Sequence, residues 1–176
     1  MNDNDHIREV YAYFGLAIYF GQVLEHGIVS AMVILRMPRR DKITKWDIDA
    51  FMDRQFENTL GKLVKNLQSE IRLPIELEGM LRQALKTRNW LCHNYFRERA
   101  IELASEGGRD QMLAELIEAR ELLDKADKTL AGLVQPLADR YGLTKEACEA
   151  EFLALCRQTA VGAQKGAAAA FGLPGL

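Results

Sequence analysis

One short segment of the chain combines residue types that could do chemistry on a phosphodiester. Its polar members are Arg88, Asn89, His93 and Tyr95. Histidine can accept or give a proton near neutral pH, and arginine stays charged and can bind two phosphate oxygens at once. A histidine base could therefore activate a ribose 2′-hydroxyl without a metal ion. The product would carry a 2′,3′-cyclic phosphate, and DNA, which has no 2′-hydroxyl, would be excluded.

Arg88 falls in register with the apolar positions of a predicted helix, among them Leu81, Ala84 and Leu91. A guanidinium on such a buried stripe needs a partner anion or an interface. Arg88 and His93 are about 140° apart around an ideal helix, so the two side chains do not point the same way. Bringing them together requires a long side chain that swings round, or a second copy of the helix.

The spacing Arg88-Asn89-x-x-x-His93-x-Tyr95 resembles the signature of the HEPN superfamily of small α-helical proteins. That signature is an arginine, usually followed by a polar residue, four to six positions before a histidine. The His-x-Tyr extension is similar to that of the toxins in HEPN–nucleotidyltransferase toxin–antitoxin pairs. Trp90 and Cys92 make the intervening residues bulkier than we expect of the pattern.

The resemblance implies a homodimer whose two motif helices meet in a cleft. Many members are metal-independent endoribonucleases of toxin or defence systems, so Arg88 and His93 would be the catalytic pair and Asn89 a supporting residue. Tyr95 matches the tyrosine that a partner nucleotidyltransferase modifies with AMP. Other members only bind RNA or nucleotides, and the alternative is a non-catalytic binding or regulatory module on the same dimer. An antitoxin or a nucleotidyltransferase is the implied partner.

Two further sets of residues could support this chemistry. Glu25 and His26 lie mid-way along the first predicted helix, where Glu25 could orient His93 or pair with Arg88; the alternative is a solvent-facing or internally bonded group. A second set could contact RNA phosphates, although a run of positive charge is usually a solvated loop: Arg36, Arg39, Arg40, Lys42 and Arg97.

Composition and missing motifs narrow the function classes. The formal net charge is −2, so the chain as a whole does not attract polyanions and any nucleic-acid contact must come from a local patch. The sequence contains no GxxxxGK[ST], GxGxxG, HExxH or GxSxG motif. Its 3 histidines are too scattered to indicate a metal site, and we expect neither a metal nor a cofactor.

Several features favour a cytoplasmic protein. The 3 cysteines form no CxxC pair, so we expect buried, reduced thiols. The polar, acidic start is unlike a signal peptide. The segment Leu16–Leu35 is strongly apolar, but a carboxylate at Glu25 is costly in lipid. We therefore expect the core helix of a bundle and no membrane span.

Apolar periodicity predicts four long helices, over about 5–37, 47–69, 74–104 and 109–140. We expect Thr44 or Asp47 to cap the second helix, Gly107-Gly108 to close the third, and Tyr141-Gly142 to stop the fourth after a bend at Pro136. A short fifth helix should follow Thr144, with these residues buried: Ala147 or Cys148, Phe152, Leu155 and Thr159.

The predicted fold class is all-α, an antiparallel bundle of four long helices plus a short C-terminal helix. The 176 residues fit one HEPN-like helical domain over residues 1–160. Residues 161–176 are rich in alanine and glycine, and we expect a flexible tail there.

Overall fold

A computed structural model describes residues 3–37, 44–154, 156 and 157, and these ranges form helices joined by short turns, without a strand. Seven helices are α1 (Asp3–Arg36), α2 (Lys45–Phe56), α3 (Leu60–Glu70), α4 (Ile75–His93), α5 (Tyr95–Glu98), α6 (Ala100–Leu103) and α7 (Glu106–Arg140). An eighth, α8, covers residues 145–154. The all-α prediction is confirmed. The expected flexible tail, Leu155 and Thr159 lie outside the described residues.

The chain divides into two compact units, residues 1–134 and 135–176. The first unit contains α1 to α6 and most of α7. Its core is formed by apolar side chains that are less than one-tenth exposed, including Val10, Ala17, Leu24, Ile28, Met32, Leu63, Leu67, Leu81, Leu116 and Leu123. Burying a large apolar side chain contributes roughly 1.5–3 kcal/mol, so α1, α3, α4 and α7, which supply these residues, are held together mainly by this core.

The second predicted long helix, 47–69, is two helices in the structure. Helix α2 begins as expected, because Thr44 and Asp47 form a reciprocal capping box. It ends at Phe56, and Thr59 begins α3 by accepting a hydrogen bond from the Lys62 amide. Asn58 reinforces the break, since its side-chain amide donates to the carbonyl of Arg54 at 3.0 Å.

Contacts along α1 give the directions of the hairpin formed by α2 and α3. The guanidinium of Arg36 lies 4.3 Å from the ring centroid of Phe51, and the ring of Phe56 lies 4.3 Å from that of His26. Helix α2 is therefore antiparallel to α1. Helix α3 runs back towards the C-terminal end of α1, where the guanidinium of Arg36 donates to Glu70, the last residue of α3. The hairpin thus covers only the C-terminal half of α1.

The other two long helices accompany α1 in opposite directions. Helix α4 is antiparallel to α1, because Glu25 contacts Arg88 while Phe14 contacts Phe96 beyond the end of α4. Helix α7 is parallel to α1, because His6 lies 3.3 Å from Asp110 and the later Gly27 and Asp127 also meet. The first unit is therefore three long helices and a short hairpin, where four long helices were predicted.

The contact of α1 with α7 depends on a residue without a side chain. A Cβ on Gly27 would lie 1.9 Å from Oδ1 of Asp127. Burial raises the pKa of Asp127 above its usual value, and the neighbouring Asp124 adds to the rise. The glycine therefore lets a partly desolvated carboxyl lie against the backbone of α1.

Helix α1 is long and apolar enough, by length and composition, to cross a membrane. Core helices of soluble proteins pass the same test. Its inward face supplies Val10, Ala17 and Leu24, each with an exposure of 0%. Its most apolar 18-residue window is 33% buried within the chain, so a large part of α1 also faces outward.

The third predicted helix, 74–104, is interrupted twice. Asn94, with φ −129° and ψ −25°, ends α4 at His93, and Arg99 separates α5 from α6. Gly107-Gly108 does not close this helix, and that prediction was wrong. Both glycines lie in the first turn of α7, where the amide of Gly108 donates to the Ser105 hydroxyl at 3.2 Å.

Helix α7 ends as predicted. Gly142 has a φ of +75°, its amide donates to Asp139 and the Leu143 amide donates to Ala138, which is a Schellman ending. Pro136 lies inside α7. The burial expected in α8 is wrong, because Ala147 and Cys148 are exposed and Phe152 is 66% exposed. All three cysteines are free and exposed, so the buried thiols were also predicted wrongly.

Gly107 and Gly108 give a matched test of packing at the start of α7. A Cβ on Gly108 would lie 2.2 Å from the carbonyl oxygen of Glu102, whereas one on Gly107 would meet nothing within 4 Å. We expect Gly108→Ala to lower the free energy of unfolding by about 1–3 kcal/mol through overpacking. Gly107→Ala should raise it by about 0.5 kcal/mol. Urea unfolding followed by circular dichroism measures both, and equal effects would contradict the packing.

Candidate nucleic-acid interface

The central feature of the candidate site is an ion pair between α1 and α4. Nη2 of Arg88 lies 2.7 Å from Oε1 of Glu25, and the two side chains are 27% and 20% exposed. The sequence indicated that Arg88 needs a partner anion or an interface, and it offered pairing with Arg88 as one of several alternatives for Glu25; the structure shows this pairing. A guanidinium and a carboxylate at this distance form a charge-assisted contact that strengthens as water is excluded.

A glycine on α1 makes room for the arginine. Cγ of Arg88 lies 3.2 Å from the position that a Cβ on Gly21 would occupy. Gly21 is buried and lies one helical turn before Glu25. The aliphatic stem of Arg88 therefore passes over Gly21, and the guanidinium reaches the carboxylate of the next turn.

Asn89 and His93 lie on the outer face of α4, and both are exposed. Oδ1 of Asn89 accepts a hydrogen bond of 3.4 Å from Nη1 of Arg88. His93 is the last residue of α4. Arg88 thus contacts α1 while His93 faces solvent, in agreement with the angle of about 140° between them on an ideal helix. A single chain does not bring the predicted catalytic pair together.

The outer face of α4 is polar and carries several positive charges. Its exposed members, with Arg97 of α5, are Arg82, Lys86, Asn89, His93 and Arg97. Both guanidiniums are paired with carboxylates: Arg82 donates to Glu78 at 2.9 Å, and Arg97 donates to Asn94 at 2.8 Å and lies 3.8 Å from Glu98. We call this set the α4 basic face. It is the local patch that a net-acidic chain needs to approach a polyanion.

The position of Tyr95 in the structure disagrees with its predicted role as a modification site. Its side chain is 1% exposed, and its hydroxyl donates to the backbone carbonyl of Met112 on α7 at 3.0 Å. Burial is the main reason that the pKa of Tyr95 lies well above its usual value. A modifying enzyme could reach this hydroxyl only if α5 separated from α7, so we withdraw Tyr95 as a modification site.

Trp90 is part of the structural support beneath the motif. Its indole Nε1 donates to Glu98 at 2.8 Å, and its ring meets that of Tyr95 edge-on with centroids 4.8 Å apart. The guanidinium of Arg99 lies over the Trp90 ring, 5.3 Å from its centroid. The same guanidinium donates two hydrogen bonds to Glu115 of α7. The bulky residue between Arg88 and His93 therefore fixes α5 against the end of α4.

Of the two candidate support residues, only Glu25 contacts the motif. His26 is exposed, and its ring packs on Phe56 of α2 with a centroid distance of 4.3 Å. It lies on the outward face of α1.

The outward face of α1 is uncharged over about five helical turns. Its exposed residues between positions 12 and 30 carry no carboxylate, ammonium or guanidinium: Ala12, Gly15, Leu16, Tyr19, Gln22, His26 and Ser30. Tyr19 is 57% exposed and Leu16 is 37% exposed. We call this set the α1 outer face. A surface of this composition is typical of one that another surface covers.

The basic residues expected to contact phosphates lie in different environments. Arg36 is bonded to Glu70 through Nε at 2.9 Å and through Nη2, so its charge is already used within the chain and the prediction for it is not supported. Arg97 is exposed on the α4 basic face. Arg39, Arg40 and Lys42 lie outside the described residues.

Several residues that hold the fold were missed by the sequence reasoning. Arg109 is 2% exposed, and it bonds Asp3 and the carbonyl of Leu103. His6 is 4% exposed, and it faces Asp110. No local signal marks these residues, because their partners are far away along the chain. They tie the start of α1 to the start of α7 and are not part of the candidate site.

The described ranges contain no group of three or more His, Cys, Asp or Glu side chains arranged to hold a metal ion. Comparison with protein-family models, with curated proteins and with solved structures gives no match. The resemblance to the HEPN superfamily therefore depends on the motif and on its place in a helical fold.

The Arg88–Glu25 pair can be tested by a double-mutant cycle. We expect Arg88→Met to cost about 2 kcal/mol in the free energy of unfolding, because it leaves a partly buried carboxylate unpaired. The double variant with Glu25→Gln should recover about 1 kcal/mol of coupling. Arg82→Met with Glu78→Gln is the exposed control, expected to couple by less than about 0.5 kcal/mol. Urea unfolding measures both, and equal coupling would mean that the contact is no stronger than a surface pair.

Proposed function

We propose that the protein is a HEPN-like endoribonuclease that acts as a homodimer, without a metal ion, through Arg88 and His93. The observation that carries this proposal is the presence of an exposed imidazole, His93, and a partly exposed guanidinium, Arg88, at the same end of α4. Asn89 adjoins Arg88, and His93 ends the helix. The residues suited to phosphate binding and to proton transfer therefore lie within the last two turns of α4.

The proposed reaction uses these groups in a fixed order. His93 removes the proton from a ribose 2′-hydroxyl, and the 2′ oxygen attacks the adjacent phosphorus. Arg88 stabilises the negative charge that develops on the phosphorane oxygens. The bond from phosphorus to the 5′ oxygen then breaks, and that oxygen takes a proton from the His93 imidazolium of the second copy. The products are a 2′,3′-cyclic phosphate and a 5′-hydroxyl.

A homodimer supplies what one chain lacks. Arg88 faces α1 and His93 faces solvent, so one chain separates the charge from the base. The α1 outer face lies on the helix that carries Glu25, and it provides an uncharged surface on which a second copy can pack. The second copy then brings its own α4 to the same cleft.

A second function is favoured by the Arg88–Glu25 ion pair. Glu25 neutralises Arg88 within the chain, which is what a non-catalytic RNA-binding or regulatory module would show. Such a module would use the α4 basic face for binding and would not need His93 as a base. For either function we propose a cytoplasmic protein of a toxin or defence system, restrained by an antitoxin or by a nucleotidyltransferase that acts elsewhere than on Tyr95.

RNA cleavage in excess EDTA separates the two functions. We expect the purified protein to cut RNA and leave a 2′,3′-cyclic phosphate, and His93→Ala to slow this by a factor of at least about 100. Glu25→Gln should slow it less, because a glutamine can still hold Arg88 in place, with the helical circular dichroism signal unchanged.

Cys92→Ala is the matched control, since Cys92 is the exposed neighbour of His93 and should leave the rate unchanged. If varied RNAs are bound but not cut by the folded dimer, the nuclease is refuted and the binding module stands. If His93→Ala retains full cleavage, another group is the base.

The dimer is tested at the α1 outer face. We expect Tyr19→Glu to convert a dimer to a monomer in sedimentation equilibrium and to remove cleavage, because a buried unpaired carboxylate is costly. Tyr141→Glu is the control, at a tyrosine of similar exposure, 47%, outside the proposed interface. A monomeric natural chain, or a Tyr19→Glu variant that remains a dimer, would contradict the proposed interface.

A further inference from the structure

A cavity of about 280 Å³ lies between the last turns of α1 and helix α2. We call it the Trp46 cavity, and its lining includes Val33, Arg36, Trp46, Asp47, Phe51 and Arg54. It is separate from the Arg88–Glu25 pair, since Arg36 and Glu25 are about 16 Å apart along α1. Neither the motif nor the proposed reaction gives this cavity a role.

The cavity combines an exposed aromatic ring with an available positive charge. Trp46 is 76% exposed, which is unusual for the largest apolar side chain and leaves an indole face open to solvent. Arg54 lies in the last turn of α2, and it forms no ion pair within the part of the chain that the structure describes. An open indole and a free guanidinium are the two elements that hold a base and a phosphate.

The other charged groups of the cavity are committed to the fold. Arg36 is bonded to Glu70 and its guanidinium lies over the ring of Phe51, so it forms a wall. The carboxylate of Asp47 accepts hydrogen bonds from the amide and the hydroxyl of Thr44 in the capping box. Arg54 is therefore the guanidinium of the cavity that no carboxylate pairs within the described residues, and the Asp47 carboxylate lines the end of the cavity near Trp46.

The spacing of Trp46 and Arg54 fits one nucleotide. The two residues are about 12 Å apart along α2, a span comparable with that of a nucleotide from the far edge of its base to its phosphate. Val33 and Phe51 also line the cavity, and they give it apolar surface beside the two polar groups.

We propose that the Trp46 cavity is a nucleotide-binding subsite, in which a base stacks on Trp46 and its phosphate is bound by Arg54. The ligand class is a nucleoside monophosphate, free or as one residue of a single-stranded RNA. In its RNA form the proposal rests on the proposed function, because the strand that occupies the Trp46 cavity would be the RNA that is cut at the motif. One residue of that strand would then be anchored at the Trp46 cavity.

AMP is the probe that tests the site directly. The chain has 2 tryptophans, so its indole N–H signals in a ¹⁵N-correlated spectrum are those of Trp46 and Trp90, assigned with Trp46→Phe. We expect AMP to shift the Trp46 signal saturably. Ribose 5-phosphate, which has no base, should shift it at least about tenfold more weakly, since stacking contributes roughly 1–3 kcal/mol per base.

Two variants and a control separate binding from folding. Arg54→Gln should weaken AMP binding about tenfold through the lost charge-assisted contact, and Trp46→Leu should abolish it while the helical signal stays the same. Arg8→Gln is the control, since Arg8 is an 80% exposed arginine at the other end of α1. The site is refuted if AMP produces no saturable shift, if ribose 5-phosphate matches AMP, or if Arg54→Gln behaves as Arg8→Gln does.

The source of the nucleotide is then distinguished with a short single-stranded RNA. Tighter binding of the RNA than of AMP, lost together with Trp46, supports the anchoring of a strand. Equal affinity supports a free nucleotide as the ligand. A Trp46 signal that responds only to the protein's own concentration shows self-association and refutes the nucleotide site. His93→Ala leaves AMP binding unchanged under this proposal, so failure of cleavage and failure of the Trp46 site are read separately.

Discussion

The charge pair between α1 and α4 is the constraint on which the rest of the candidate site depends. A helix that buries one face against α1 has no place for a guanidinium unless a carboxylate meets it, because an unpaired buried charge costs several kcal/mol. Gly21 and Glu25 supply the space and the partner on consecutive turns of α1. The pair lies on the face of α4 that also buries Leu81, Ala84 and Leu91, and Asn89 and His93 are consequently on the outside.

This constraint is also the part of the site that could be predicted from the sequence. An arginine in register with leucines is a local conflict, and such conflicts mark the places where a long-range partner or a function must compensate. The helices themselves follow from apolar periodicity, and their ends at Thr44 and Gly142 follow from capping. What periodicity could not show is the interruption of a helix whose apolar pattern continues. Helices α2 and α3 keep one pattern across the break, and only the caps at Asn58 and Thr59 end the first and begin the second.

Other errors share a different cause, which is tertiary packing that overrides a local preference. Gly107-Gly108 has the composition of a helix end, yet Gly108 is required where the backbone of Glu102 approaches α7. Arg36 looks like part of a basic loop, yet Glu70 bonds it from the end of α3. Tyr95 fits a family pattern of modification, yet its hydroxyl is needed by a buried carbonyl. In each case the contact that determines the outcome is made by a residue on another helix. Residue spacing along the sequence cannot predict such a contact.

The neutralised arginine does not by itself exclude phosphate binding. A guanidinium has five N–H donors, and in this chain Asn89 accepts a hydrogen bond from Nη1 of Arg88 while the Glu25 carboxylate forms an ion pair at Nη2. The remaining donors can still meet phosphate oxygens while the carboxylate holds the side chain in place, at the cost of a weaker net attraction. Under the proposed function, long-range attraction of RNA would come from the α4 basic face, and it would decrease as salt rises because it would depend on counterion release. Glu25 would therefore make binding at the motif depend on short-range geometry more than on charge. In a chain with a net charge of −2, such binding would favour RNA whose shape fits the cleft.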